Sequence, residues 1–197
     1  MAEPLKVIMM GGRRCGKTSA LASLFDQMVN GPVKDYFTVS DRTVLETKGF
    51  ETQDSLNDKT LELINKLETN AGNSSLFLVD NSPTYNVWHY NLRLQVPGKK
   101  REMDIEFCDI PGEYFENSKQ QFKEETEALI KASDVFVIVV DTPYLMGSIE
   151  ETTKDICPDS INLGTNRVKE IQNFLTNIDN KDGKDAKMVI FVPLKCE

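Results

Sequence analysis

Met9-Met10-Gly11-Gly12-Arg13-Arg14-Cys15-Gly16-Lys17-Thr18-Ser19 contains the spacing Gly11-x4-Gly16-Lys17-Thr18, which satisfies G-x-x-x-x-G-K-[ST]. A loop of this kind cradles a polyphosphate, because successive backbone N–H groups can wrap the phosphate oxygens. The lysine then reaches the outer phosphates, and the hydroxyl after it binds Mg²⁺. The flanks supply the context such a loop needs. Leu5 to Met10 is a short apolar run fit for a buried strand, and Leu21, Leu24, Phe25 and Met28 recur at helical spacing after Thr18. A helix beginning there points its N-terminal amides at an anion. The residues expected to line the phosphates are therefore Gly11, Gly12, Arg13, Arg14, Cys15, Gly16, Lys17, Thr18 and Ser19.

Beyond the first helix, Asn30-Gly31-Pro32 breaks the pattern. Residues 33–82 then alternate between short strand-like and helix-like pieces, with a strand expected at Phe37–Ser40 and a helix from Asp58 to Leu67, where Leu61, Ile64 and Leu67 are spaced helically. The block is too long for a bare connection and is expected to be a folded insertion or an extended regulatory segment. Two alternating stretches follow, Tyr85–Val96 and Glu102–Cys108, joined by Pro97-Gly98-Lys99-Lys100 as a hairpin. The second runs into Asp109-Ile110-Pro111-Gly112-Glu113. An acid at the carboxyl end of a strand lies where open α/β sheets bind ligands, so Asp109 is placed for a metal.

A charged helix is expected over Ser118–Lys131, and the β-branched run within Asp134–Asp141 reads as a central parallel strand covered on both faces. A long loop over Thr142–Gly164, an amphipathic helix over Asn166–Ile178 and a second buried strand over Met188–Val192 complete the order. The sequence stops at Pro193-Leu194-Lys195-Cys196-Glu197 with no covering helix after that strand. The expectation is a fragment of a longer protein, or one completed by something supplied elsewhere.

The 197 residues, 40% of them apolar, suffice for one domain with an elaboration. A net charge of −8 argues against a nucleic-acid-binding face. It leaves nucleotide binding open, because one lysine, one Mg²⁺ and oriented amides act locally. No apolar run is long enough to span a bilayer and the first residues do not form a signal peptide, so the expected location is cytoplasmic. Cys15, Cys108, Cys157 and Cys196 show no C-x-x-C spacing and are expected to be free thiols. His89 has no second ligand at metal spacing and is expected to be structural.

The succession of strand, phosphate loop, helix, insertion, hairpin, Asp-x-x-Gly, helix, buried strand, helix, buried strand and Lys-x-Glu resembles the G domain of Ras-like, translation-factor-related GTPases. The resemblance covers most of residues 1–197 apart from the insertion at 33–82, and it extends to a G domain cut from a multi-domain bacterial GTPase. It implies an α/β fold, a P-loop NTPase three-layer sandwich whose mostly parallel sheet has one antiparallel strand. Asp109 and Gly112 match the family's D-x-x-G, implying an Mg²⁺-linked carboxylate and an N–H for the γ-phosphate. Thr84 falls where the family closes a threonine on Mg²⁺ and γ-phosphate, in a local sequence similar to Arf-like proteins, with an ordinary turn threonine as the alternative. Lys195 and Glu197 fall at the guanine motif N-K-x-D, but Leu194 replaces its Asn and Glu197 its Asp. Glu keeps the acceptor chemistry one methylene farther out.

Two departures bear on mechanism. Glu113 stands where many members carry a water-orienting Gln, and Arg13 and Arg14 stand at loop positions that are commonly small. The arginines admit two readings, charge stabilisation in cis or a solvent, partner or regulatory role. The implied activity is slow Mg²⁺-dependent GTP hydrolysis by a nucleotide-controlled switch with a protein effector. Lys17, Glu113, Thr84 and Arg13 are its catalytic candidates, and Thr18, Thr84 and Asp109 its metal donors. An ATPase or phosphotransferase and a non-hydrolysing nucleotide-binding scaffold are the alternatives.

Overall fold

Each apolar or alternating stretch finds a place in one sheet. The computed structural model describes residues 3–13, 15–41, 58, 60–61, 65, 87–116, 120–142, 166–176 and 187–194. Its strands are β1 (Leu5–Met10), β2 (Thr38–Asp41), β3 (Trp88–Gln95), β4 (Glu102–Asp109), β5 (Val135–Asp141) and β6 (Met188–Leu194). The helices are α1 (Lys17–Val29), α2 (Glu113–Glu116), α3 (Gln120–Ala132) and α4 (Val168–Thr176), with a 3-10 turn at Pro32–Asp35. The strand order is β2-β3-β4-β1-β5-β6. Parallel pairing joins β1 to β5, from Val7 opposite Val135 to Met10 opposite Ile138, and β5 to β6, from Val135 opposite Met188 to Asp141 opposite Leu194. An antiparallel pair, Thr38 opposite Gln95 to Asp41 opposite Leu92, joins β2 to β3. This is the α/β P-loop NTPase fold expected from the sequence.

The described residues fall into two compact units. One comprises those within Lys6–Lys17, Tyr85–Val87 and Cys108–Glu197. Its core gathers Ile8 and Met10 of β1, Phe136 and Ile138 of β5, Ile130 of α3 and Ile171 of α4, together with Cys108, Ile110, Tyr114 and Phe115. β1 and β5 are central strands, so their side chains meet cover on two faces, which is why their sequences run apolar without strict alternation. Asp134 fixes where these strands begin. Its backbone N–H donates to Lys6 O (2.9 Å), its carboxylate accepts from Lys6 N–H (2.9 Å), and its carbonyl accepts from Met188 N–H (3.2 Å). Lys187 then caps α3, its Nζ donating to Ile130 O (3.0 Å) and Lys131 O (2.8 Å) while lying 5.3 Å from the centre of the Phe136 ring. Partial burial at this cap lowers the lysine's pKa, with Asp134 opposing the shift.

The other unit comprises the described residues within Met1–Leu5, Thr18–Thr84 and Trp88–Phe107. Leu21, Ala22 and Phe25 of α1, Tyr90 and Leu92 of β3, and Ile105 and Phe107 of β4 are buried there. The β3–β4 hairpin turns at Gly98, whose φ of +74° suits glycine, with Lys99 N–H donating to Val96 O (3.1 Å). Polar pairs tie β3 to β4. Arg93 forks onto Asp104 (2.6 and 2.7 Å), and His89 Nδ1 lies 2.8 Å from Glu106 Oε1, a structural setting for the lone histidine. Within the block that follows α1, β2 joins the sheet, and Asp58, Thr60, Leu61 and Asn65 are helical. Of the residues described there, Thr60 is buried and donates to Ala22 O (3.2 Å), whereas Leu61, one of the three expected apolar contacts, is half exposed. Ile64 and Leu67 lie outside the described residues.

The largest correction concerns β6. Its run Met188-Val189-Ile190-Phe191 reads as a buried strand, yet these four residues are between 41% and 66% exposed. The cause is position: among the described residues β6 ends the strand order and pairs with β5, and consecutive residues, which point to opposite faces, are both exposed, so neither face is closed over. Phe136→Ala should therefore cost about 3–5 kcal/mol of unfolding free energy, as deletion of a packed core aromatic does, while Phe191→Ala should cost under about 1 kcal/mol. Urea unfolding of both variants checks the contrast, and equal losses would contradict it.

Candidate functional site

The phosphate loop begins where β1 runs out. Met10 is fully buried, so the chain leaves the sheet from a fixed point, and Gly11 follows with no room for a side chain. A Cβ there would stand 2.6 Å from Val139 O and 2.7 Å from Cys15 Sγ. The loop is thus pressed against the backbone of β5 at one end, and Gly16, at φ +93°, turns it into α1 at the other. Lys17, the first residue of α1, is 8% exposed. Its Nζ donates to Gly11 O and Gly12 O, 3.1 Å each, so the ammonium is folded over the loop. An ammonium has three N–H donors, and two of them are spent on positioning it. Thr18 and Ser19 occupy the next positions of the same helical turn.

Two carboxylates close the carboxyl ends of the strands in this unit. Asp109 ends β4 at 4% exposure and Asp141 ends β5 at 2%. Their charges meet at the Cys15 thiol. Burial raises the pKa of Cys15, Lys17 opposes the shift by charge and through its backbone hydrogen bond, and Asp109 and Asp141 add to it. Asp141 was not among the candidate site residues, although the signal that marks Asp109, an acid ending an apolar strand run, is equally present in Val139-Val140-Asp141. Asn166 is a second residue that sequence reasoning missed. Its Oδ1 accepts from Asp141 N–H (2.8 Å) and its Nδ2 donates to Asp141 O (3.1 Å), so a side-chain amide stands in for a strand partner. No local pattern marks a pairing so far apart in sequence. Among the described residues no group of three His, Cys, Asp or Glu forms a metal cluster.

The Asp-x-x-Gly segment lies directly on the loop. Ile110 N–H donates to Met9 O (3.4 Å), and Gly112 sits so close that an added Cβ would strike the Arg13 backbone and come within 2.6 Å of Gly12 C. Only glycine fits such an approach. The next residue, Glu113, forms an ion pair with Arg13, Nε to Oε1 at 3.0 Å. The two departures that stand out in sequence are therefore partners in space. Of the other expected site residues, Arg14, Thr84, Lys195 and Glu197 lie outside the described residues.

A glycine-cornered loop between a central strand and a helix, a lysine folded over it and an Asp-x-x-Gly packed upon it together describe a nucleotide phosphate site. The model of one protein family, Double-GTPase 2, matches residues 7–190. The chain belongs to the Double-GTPase 2 family. It is accordingly a GTPase domain that binds guanine nucleotide. No curated protein matches the chain. Among the described residues of this Double-GTPase 2 member, no helix is long and apolar enough to cross a membrane.

Because Cys15 is buried and its pKa raised, little thiolate is available for alkylation. In the folded protein iodoacetamide should label Cys15 more slowly than it labels the urea-unfolded chain, by about tenfold or more. Peptide mapping by mass spectrometry after timed labelling measures the ratio, and equal rates would contradict the burial of the thiol.

Proposed function

We propose that this domain hydrolyses GTP slowly with Mg²⁺ and acts as a nucleotide-controlled switch of the Ras-like, translation-factor-related kind. The observation that carries the reading is Lys17, its Nζ held over the loop by Gly11 O and Gly12 O, in a chain of a GTPase family. An ammonium fixed there, with the loop amides, neutralises the β- and γ-phosphates in place and needs no rearrangement as charge develops. The donor chemistry fits Mg²⁺. This ion takes hard oxygens, usually one or two from the protein with the rest from phosphates and water. We assign Asp109 and Thr18 as donors, with Thr84 joining in the triphosphate state, and Mg²⁺ when bound offsets phosphate charge.

Hydrolysis on this reading is in-line attack by water, with Glu113 as the hydrogen-bond acceptor at the position where relatives of the wider class use Gln. Arg13, 3.0 Å from that carboxylate, brings a positive charge to the same part of the loop. Lys195 and Glu197 are assigned to the base, Glu197 accepting from the guanine edge. A protein effector reads the nucleotide state, the location is cytoplasmic, and residues 1–197 form one G domain elaborated at 33–82. A second reading, a non-hydrolysing scaffold, is favoured by one observation: the Arg13–Glu113 pair occupies both side chains that would otherwise serve the reaction.

Two measurements decide. Lys17→Ala should reduce GTP affinity by about a hundredfold or more, since it removes a charged partner of the phosphates. Unchanged affinity by titration with a fluorescent GTP analogue would sink the assignment. Single-turnover assays should show phosphate release from GTP and none without Mg²⁺, whereas the scaffold releases none in either case.

A further inference from the structure

Arg13 and Glu113 belong to different motifs, and one ion pair of 3.0 Å joins them. Glu113 is the more enclosed partner, 15% exposed against 36% for Arg13. On one side, Gly112 abuts the Arg13 backbone, and on the other the chain is fixed. Tyr114 N–H donates to Pro111 O (3.0 Å), Phe115 N–H donates to Gly112 O (3.1 Å), and both aromatic side chains belong to the core. Ile110 is fully buried as well. What can move without breaking these contacts is Glu113, and the ion pair holds it to the loop.

We infer, on the reading that the loop takes a nucleoside triphosphate, that the Arg13–Glu113 pair is a latch opened by the terminal phosphate. Arg13 is part of the loop that receives the phosphates, so an arriving γ-phosphoryl group and Glu113 compete for one guanidinium. The competition is uneven. A terminal phosphate carries more charge and more acceptor oxygens than a carboxylate, and a guanidinium matches it bidentately. A partly exposed ion pair is also weak enough to be exchanged. A diphosphate lacks the competing group and leaves the latch closed. Opening it frees the Glu113 carboxylate when the attacking water needs an acceptor, while Tyr114 and Phe115 stay in the core. The third phosphate is thus read by exchange of one arginine between two anions, without melting the whole segment.

The test uses the full chain with Mg²⁺, GDP and a non-hydrolysable β,γ-imido GTP analogue, and compares affinities for wild type, Arg13→Ala, Glu113→Gln and the double variant. Arg13→Ala should lower the preference for the triphosphate analogue over GDP by about three- to tenfold, the worth of a partly exposed charge-assisted bond. Glu113→Gln should raise that preference by a similar factor, because the competitor is gone, and this gain should vanish in the Arg13→Ala background. Single variants that shift the preference in the same direction, or a Glu113→Gln gain that persists without Arg13, would overturn the latch and leave simple charge repulsion. Hydrogen exchange gives an independent readout on the wild type: protection at the Glu113 amide should fall with the analogue and not with GDP, while the Tyr114 and Phe115 amides keep theirs, and equal protection at Glu113 would overturn it. Wild-type protein that binds neither nucleotide would instead overturn the nucleotide reading itself.

Discussion

A phosphate loop works only if its backbone amides are held still around a space that no side chain fills. Here that constraint is met from below, by β1. Ile8 and Met10 sit in the core with Phe136 and Ile138 of the neighbouring β5, so the strand cannot tilt or slide without opening packed apolar surface. The loop that leaves β1 inherits this rigidity at Gly11, whose missing side chain lets it touch both Val139 O and Cys15 Sγ. Lys17 closes the other end by bonding back to the carbonyls of Gly11 and Gly12. Stability and function meet in the same few residues, since the packing that holds the sheet also pre-orients the donors.

The electrostatics of the site are local. The chain carries a net charge of −8, and two buried acids, Asp109 and Asp141, stand at the strand ends beside the loop. An anionic ligand is compatible with them because Lys17 is buried beside the same groups. Cys15 registers the balance: burial dominates its raised pKa, and the lysine and the two acids pull in opposite directions. The Asn166 amide holds Asp141 by both backbone groups, which keeps the end of β5 in strand geometry where no further strand residue continues it.

The Arg13–Glu113 pair ties the phosphate loop to the Asp-x-x-Gly segment in this Double-GTPase 2 member. Glu113 brings a carboxylate to the contact and Arg13 a guanidinium, and the two charges offset each other at 3.0 Å. The close packing of Gly112 on the loop makes the pairing possible, since a larger residue would lift Glu113 away from Arg13.

Sequence alone determined the parts whose chemistry is local. The G-x-x-x-x-G-K-T spacing, the apolar runs of β1 and β5, the hairpin turn at Gly98 and the acid closing β4 are each set by residue type and short-range geometry, and each stands where its pattern put it. Tertiary structure decided what depends on who the neighbour is. Met188–Phe191 has the composition of a buried strand, but burial depends on whether another element covers it, and β6 ends the strand order. Thr60 is buried, with a hydrogen bond to Ala22 O, and Leu61 beside it is half exposed, which the residue types alone do not tell. Asn166 reaches Asp141, and Arg13 reaches Glu113, across long stretches of chain, and no local pattern carries distances that only the folded sheet creates.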